Sequence, residues 1–201
     1  SDQGSGSYTE PLSFALHVLS NRLDNLGSLP GQSIEPLKEA VAAYRKLVDD
    51  EPEFRRELAW CLDSLADRYL QLKQFDEAVT VIQEAVGIYR DLAVTELAIV
   101  EENFAGSLGT LSICLDAVGR HQEALESIDE ALEIYRRMNE AHPSLFLSDI
   151  ALTLRNRAVC LDRLGKWDEA LAVIMECTQC YERLFSDNPV QYRRGLANAL
   201  Q

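Results

Sequence analysis

Cys177-Thr178-Gln179-Cys180 has the two-residue spacing that lets two sulfurs share a disulfide or a metal ion. The surrounding apolar pattern places the segment mid-helix, with no second cysteine pair near it in the sequence. At i and i+3 the sulfurs lie on one helix face, where a thiol packs as a small hydrophobe. Cys61, Cys114 and Cys160 also fall inside apolar helical patterns and read the same way. The histidines, His17, His121 and His142, are too scattered to converge with a serine and an aspartate for acyl transfer, or with carboxylates around zinc. There is no phosphate-cradling glycine loop, no His-Glu-x-x-His and no nucleophile elbow. The acidic residues mostly follow helical periodicity, as a solvated face does. The sequence therefore predicts no enzyme, with no catalytic residue, no metal ligand and no cofactor.

Charge narrows the partner class. Of 201 residues, 33 are acidic and 19 basic, a formal net charge of −14 with a pI near 4.6. Such a surface repels phosphate backbones and anionic lipid, so nucleic acid and membranes are not expected partners. No apolar run approaches the roughly 18 residues that cross a bilayer, and no basic stretch followed by an apolar core opens the sequence. Five cysteines, an odd count with none at a loop position, fit no disulfide framework, and a cytoplasmic location is expected. A hydrophobic content of 47% suffices for a core, and six prolines and ten glycines among many Leu, Ala and Glu favour long helices.

These residues are carried by a chain that repeats itself. Phe75-Asp76-Glu77-Ala78, His121-Gln122-Glu123-Ala124 and Trp167-Asp168-Glu169-Ala170 recur at intervals of 46, each preceded at the same interval by Lys73, Gly119 or Gly165. Tyr44, Tyr89, Tyr135 and Tyr181 mark the later part of each unit. Between markers the apolar residues keep helical spacing, as in Leu58, Leu62, Leu65 and Tyr69, then Val79, Ile82, Val86 and Tyr89. Each unit is thus two amphipathic helices. Pro52, Pro143 and Pro189 follow a repeat tyrosine by eight residues and start the next unit. The junction from Ala93 to Asn103 lacks that proline, and a longer or bent helix is expected there.

The pattern resembles the tetratricopeptide repeat (TPR) family. Aligned on Ala124, its signature positions take Leu108, Leu111, Ser112, Leu115, Gly119, Ile128 and Ala131. The preceding unit matches with Leu62, Leu65, Ala66, Tyr69, Ala78, Ile82 and Ala85, and the following one with Leu154, Ala158, Leu161, Gly165, Ala170 and Ile174. Lys73 departs from a turn glycine, Arg157 from an apolar residue and Cys177 from an alanine. The 46-residue unit is longer than the family's usual one and is more similar to the kinesin-light-chain type. The resemblance implies an all-α fold, a right-handed α-solenoid of stacked antiparallel helix pairs forming a TPR-like superhelix. Residues 1–9 read as a tail, and 10–201 as one array with repeats at about 10–50, 51–97, 98–143 and 144–189 and the start of a fifth at 190–201.

The resemblance also places first helices on a concave side, where a partner is read. Its outward positions include Phe14, Asn21 and Asp24, then Trp60, Asp63, Ser64 and Asp67. Farther along come Thr110, Ile113 and Asp116, then Arg155, Asn156, Val159 and Asp162. Ser64, Thr110 and Asn156, one repeat apart, would offer hydrogen bonds to an extended peptide. Asp24, Asp116 and Asp162, reinforced by Asp63 and Asp67, would attract a basic or neutral one. Both ladders read equally as solvated polar positions of a helical array. Trp60 is either an anchor for a partner side chain or packs within the array. The leading expectation is a non-catalytic protein–protein interaction scaffold that binds a peptide or helix in the groove. Two others stand beside it: an assembly module that self-associates through its terminal half-repeat, exposing Leu196 and Leu200, and a regulatory sensor segment of a larger signalling protein.

Overall fold

A computed structural model describes residues 34–199 together with Pro11, Phe14, Ala15 and Val18. The expected tail lies outside these residues, as does most of the first unit's first helix. The described residues form helices and turns: α1 (Ile34–Asp50), a 3₁₀ turn (Pro52–Phe54), α2 (Arg55–Gln71), α3 (Phe75–Ala117), α4 (His121–Ala141), α5 (Leu147–Arg163), α6 (Trp167–Asp187) and α7 (Pro189–Ala199). No strand occurs among them, and the fold is all-α and built of TPR-like helix pairs. Packing divides the chain inside α3, into residues up to Thr110 and residues from Leu111.

The turn within each pair is the same three times over. Lys73, Gly119 and Gly165 adopt left-handed backbone conformations, with φ of 59°, 82° and 71°. After α2, the Gln74 N–H donates to the Tyr69 carbonyl at 2.8 Å and the Lys73 N–H to Leu70 at 3.0 Å. This two-bond closure satisfies carbonyls that a helix end leaves orphaned. Arg120 and Gly119 repeat it onto Leu115 and Asp116, and Lys166 and Gly165 onto Leu161 and Asp162. The chain then re-enters helix with acidic residues in the first turn, Asp76 and Glu77, Glu123, or Asp168 and Glu169, against the positive helix end.

In the first unit, α1 packs on α2. Leu37, Ala40 and Tyr44 from α1, Leu62 and Ala66 from α2, and Ala78, Ile82 and Tyr89 from α3 are buried. The junction without a proline does run on as helix: α3 is continuous by hydrogen bonding from Phe75 but departs from helical geometry at Glu96 (φ −130°, ψ 30°). Val94 and Ile99 on either side of the bend are exposed. In the second unit α4, α5, α6 and α7 pack in sequence order. Its core holds Leu115, Ala124, Ile128, Leu154, Ala158, Leu161 and Ala170. Small side chains at every repeat's close approach, Ala66 and Ala78 in one unit and Ser112, Ala124, Ala158 and Ala170 in the other, are all buried. Each unit carries one ion pair between second helices at corresponding positions, Arg45 to Glu84 at 3.0 Å and Arg136 to Glu176 at 2.6 Å.

Lys73 holds a left-handed conformation that its Cβ disfavours by about 1–2 kcal/mol, and glycine fills the two equivalent turns. Lys73→Gly is expected to stabilise the chain by about 0.5–1 kcal/mol, after the greater freedom glycine gives the unfolded chain is subtracted. Urea unfolding followed by circular dichroism measures this, and an unchanged or lower midpoint would contradict it.

Candidate functional site

Burial of Leu58, Leu62, Leu65 and Ala66 turns the opposite stripe of α2 away from the core. That stripe holds Trp60, Ser64 and Asp67, spaced as i, i+4 and i+7. Trp60 and Asp67 are exposed, while Ser64 is half-buried and donates its hydroxyl to the Trp60 carbonyl at 3.1 Å. Partial desolvation raises the Asp67 carboxyl above its ordinary pKa, and neighbouring Arg68 partly offsets this. Thr110, on α3, is half-buried.

Asp63 differs from these neighbours, because it points at α3 instead of solvent. The Ser107 hydroxyl lies 2.7 Å from Asp63 Oδ1 and 2.9 Å from the Asn103 carbonyl. The hydroxyl is within reach of both acceptors and ties Asp63 of α2 to α3. Burial pushes Asp63 up to about 7, with Ser107 and the Tyr89 hydroxyl pulling it back down and Asp67 pushing it further up. Tyr89 is buried, its hydroxyl lacks a partner of regular hydrogen-bond geometry, and the adjacent carboxyl helps hold it well above the usual phenol range.

In the second unit Asp116 is half-buried and held on several sides. His121 Nδ1 lies 2.7 Å from Oδ1, Arg163 Nε 3.4 Å from Oδ2, and the Cys160 thiol 4.0 Å from Oδ1. These contacts join the end of α3 to the start of α4 and the end of α5. Asn156 and Val159 of α5 line a cleft of about 160 Å³ with Ser112, Ile113, Asp116 and Cys160. Arg155 and Asp162 border a different cleft, of about 600 Å³, between α5 and α6. Of the expected residues, the structure thus joins Asp116 with Asn156 at one cleft and Arg155 with Asp162 at another. Trp60, Asp63, Ser64 and Asp67 share α2, with Asp63 turned inward. Asn21, Asp24, Leu200 and the side chain of Leu196 lie outside the described residues.

The partners Ser107, Tyr89 and His121 were missed because they join different helices across 44, 26 and 5 residues of sequence. One signal pointed to Asp63: its 46-residue equivalents are Gly109 and Arg155, so it breaks the repeat.

The five cysteines are buried and no disulfide joins them. Burial pushes the Cys61 thiol up to about 12 and Cys160 and Cys177 to about 11, which keeps them protonated at neutral pH and poor as nucleophiles. Cys177 donates to the Ala151 carbonyl at 3.2 Å. Among the described residues no group of three or more His, Cys, Asp or Glu is arranged to hold a metal ion, and no helix is long and apolar enough to cross a membrane.

Asp63 yields a pH prediction. Its folded pKa near 7 stands above the ordinary value of 3.8, so between those values the folded chain keeps a proton that the unfolded chain releases. Stability therefore falls as pH rises through that window, and the loss is complete above about pH 7. Asp63→Asn keeps an acceptor for Ser107 and removes the charge. It is expected to raise the thermal midpoint by about 2–4 °C at pH 8 and to change it little near pH 4. An equal shift at both pH values would contradict this account.

The helix pairs have clear relatives among solved structures. A kinesin-light-chain-type protein of Podosopora anserina with nearly identical TPR-like repeats aligns with a TM-score of 0.66 at 20% identity, covering 98% of this chain and 87% of that one. BtubC (BKLC) of P. vanneervenii aligns at 0.67 and 17% identity, and aspartyl phosphate phosphatase F of Bacillus subtilis at 0.66 and 16%. These two alignments cover 88% and 86% of this chain, but it spans only 65% and 40% of the respective relatives. At such identities the likeness shows the fold alone. No curated protein matches the sequence. The family model described as Domain of Unknown Function (DUF3856) matches residues 35–183, and the chain belongs to that family.

Proposed function

We propose that the chain is a non-catalytic protein-interaction module that holds a peptide or a helix against the outward edges of its first helices. The observation that carries this reading is the cleft of about 160 Å³ in the second unit, where exposed Ile113 and Val159 flank Asn156 and Asp116. Two apolar walls with an amide and a carboxylate between them suit a partner side chain, with Asn156 offering both a donor and an acceptor to its backbone. The first unit presents a related mixture on α2, an exposed indole at Trp60 above Ser64 and Asp67.

A neutral or basic segment fits best. Asp67 and Asp162 are exposed, and Asp162 makes no ion pair among the described residues. Asp116 directs part of its charge to His121 and Arg163, which leaves less for a partner. Attraction from exposed carboxylates is screened beyond about 8–10 Å at physiological salt, so it steers the encounter more than it sets affinity.

A peptide selected from a random display library against the full chain tests the reading by titration. Ile113→Asp and Asn156→Ala are expected to weaken its binding about tenfold, and Asp67→Lys with Asp162→Lys to slow association of a basic peptide. Affinity unmoved by both cleft substitutions would reject the proposed surface.

A further inference from the structure

Ile113 on α3 and Val159 on α5 hold equivalent places one repeat apart and are 46% and 45% exposed. Ile113 stays exposed although α5, the next first helix, lines the same cleft. The exposed aliphatic wall is thus a property of the first-helix edge, present where a further repeat follows. Between the two walls of this cleft of about 160 Å³ lie Asp116 and Asn156. The half-buried Asn156 side chain makes no hydrogen bond among the described residues, which leaves an amide carbonyl and an amide N–H₂ open to a partner.

The two oxygens of Asp116 are held unequally. Oδ1 takes His121 Nδ1 at 2.7 Å. Oδ2 faces Arg163 Nε at 3.4 Å, against 2.6 Å for Arg157 on Asp129 and for Arg136 on Glu176. A charge-assisted hydrogen bond spans about 2.7–2.9 Å, so Arg163 neutralises Oδ2 without a close bond to it. Its side chain is also 54% exposed, where that of Asp116 is 20% exposed. Such a pair is weak and easily exchanged. The chain therefore rests a guanidinium of its own loosely on the carboxylate that lines the cleft.

We propose that this cleft is an arginine site. A guanidinium of the bound partner displaces Arg163 from Asp116 Oδ2 and donates a further hydrogen bond to the Asn156 amide carbonyl, with the partner's methylene stem between Ile113 and Val159. The site rests on the reading of the first-helix edges as a peptide-binding surface and names the side chain that they take. Exchange of one guanidinium for another on Asp116 nearly cancels electrostatically. Preference comes from contacts that Arg163 does not make, because Arg163 does not line the cleft: the apolar walls and the amide. Lysine has the stem without the planar fork that spans two oxygens, and leucine has no donor. Arg155 and Asp162, both exposed on α5, offset each other, so Asp116 sets the local preference for a cation.

The probe is an alanine peptide with one central arginine, blocked at both ends and titrated into the isotope-labelled full chain while the Asn156 side-chain amide signals are followed by NMR. A saturable shift is expected, with a Kd on the order of 1 mM. Lysine at the centre is expected to bind about threefold more weakly, and citrulline, which keeps the shape without the charge, about tenfold more weakly. Arg163→Gln frees Oδ2 and is expected to tighten the arginine peptide about two- to fivefold. Asp116→Asn is expected to abolish the difference between arginine and citrulline. Equal or tighter binding of a leucine- or tyrosine-centred peptide at Asn156 would overturn the arginine site and leave the peptide surface standing. Unchanged or weaker binding by the Arg163→Gln chain would overturn the displacement. Absence of a saturable shift with any central residue at about 10 mM would likewise overturn the arginine site, while the surface itself is judged by the peptide from the display library.

Discussion

The contact on which the rest of the structure depends is the close approach of amphipathic helices through small side chains. Neither helix of a pair can bury its apolar stripe alone, so stability requires a second helix at short distance and a further pair beyond it. Ala66 and Ala78 in the first unit, and Ser112, Ala124, Ala158 and Ala170 in the second, permit that distance. The left-handed turns at Lys73, Gly119 and Gly165 then decide which faces meet. The two backbone bonds that close each turn leave little freedom in how the second helix leaves the first. Because both devices recur every 46 residues, packing solved once is repeated, and deviation from the repeat becomes informative.

That is also why the fold was legible in the sequence while much of the site was not. Small-residue positions, tyrosines and turn glycines are local and periodic, so one chain displays them several times. The missing proline between Ala93 and Asn103 was enough to anticipate the bent helix around Glu96. The side chains with unusual electrostatics depend on contacts between helices, which no period encodes. Asp63 was read as an outward carboxylate because α2 numbering puts it near Ser64 and Asp67. A rotation of one residue about the helix, roughly 100°, instead carries it toward Ser107 and Tyr89 on α3. Asp116 was read as part of an acidic line, and the structure gives it His121 and Arg163. In both cases the residue type was visible and the partner was not.

The same partners change what the net charge of −14 means. Glu84, Asp116, Asp129 and Glu176 each accept from a basic side chain on another helix. Such exposed or half-exposed pairs contribute little to stability, commonly under 1 kcal/mol each after desolvation, side-chain ordering and salt screening. Their use is in register, because a slip of one helix turn would break them, setting Thr153 or Leu161 in place of Arg157 opposite Asp129. Acidity in this chain is therefore partly a means of aligning neighbouring helices.

Charge and apolar spacing are not repeated alike along the second helices. The aliphatic pair is kept in each copy, as Val79 and Ile82, Leu125 and Ile128, and Leu171 and Ile174. The neighbouring charged position is not, since Gln83, Asp129 and Met175 occupy it in turn. The pair is buried in α3 and in α4 alike, although only α4 carries the carboxylate. Apolar spacing is therefore the constraint that the repeat cannot give up, and the ion pair at Asp129 belongs to one junction instead of being a condition of stacking.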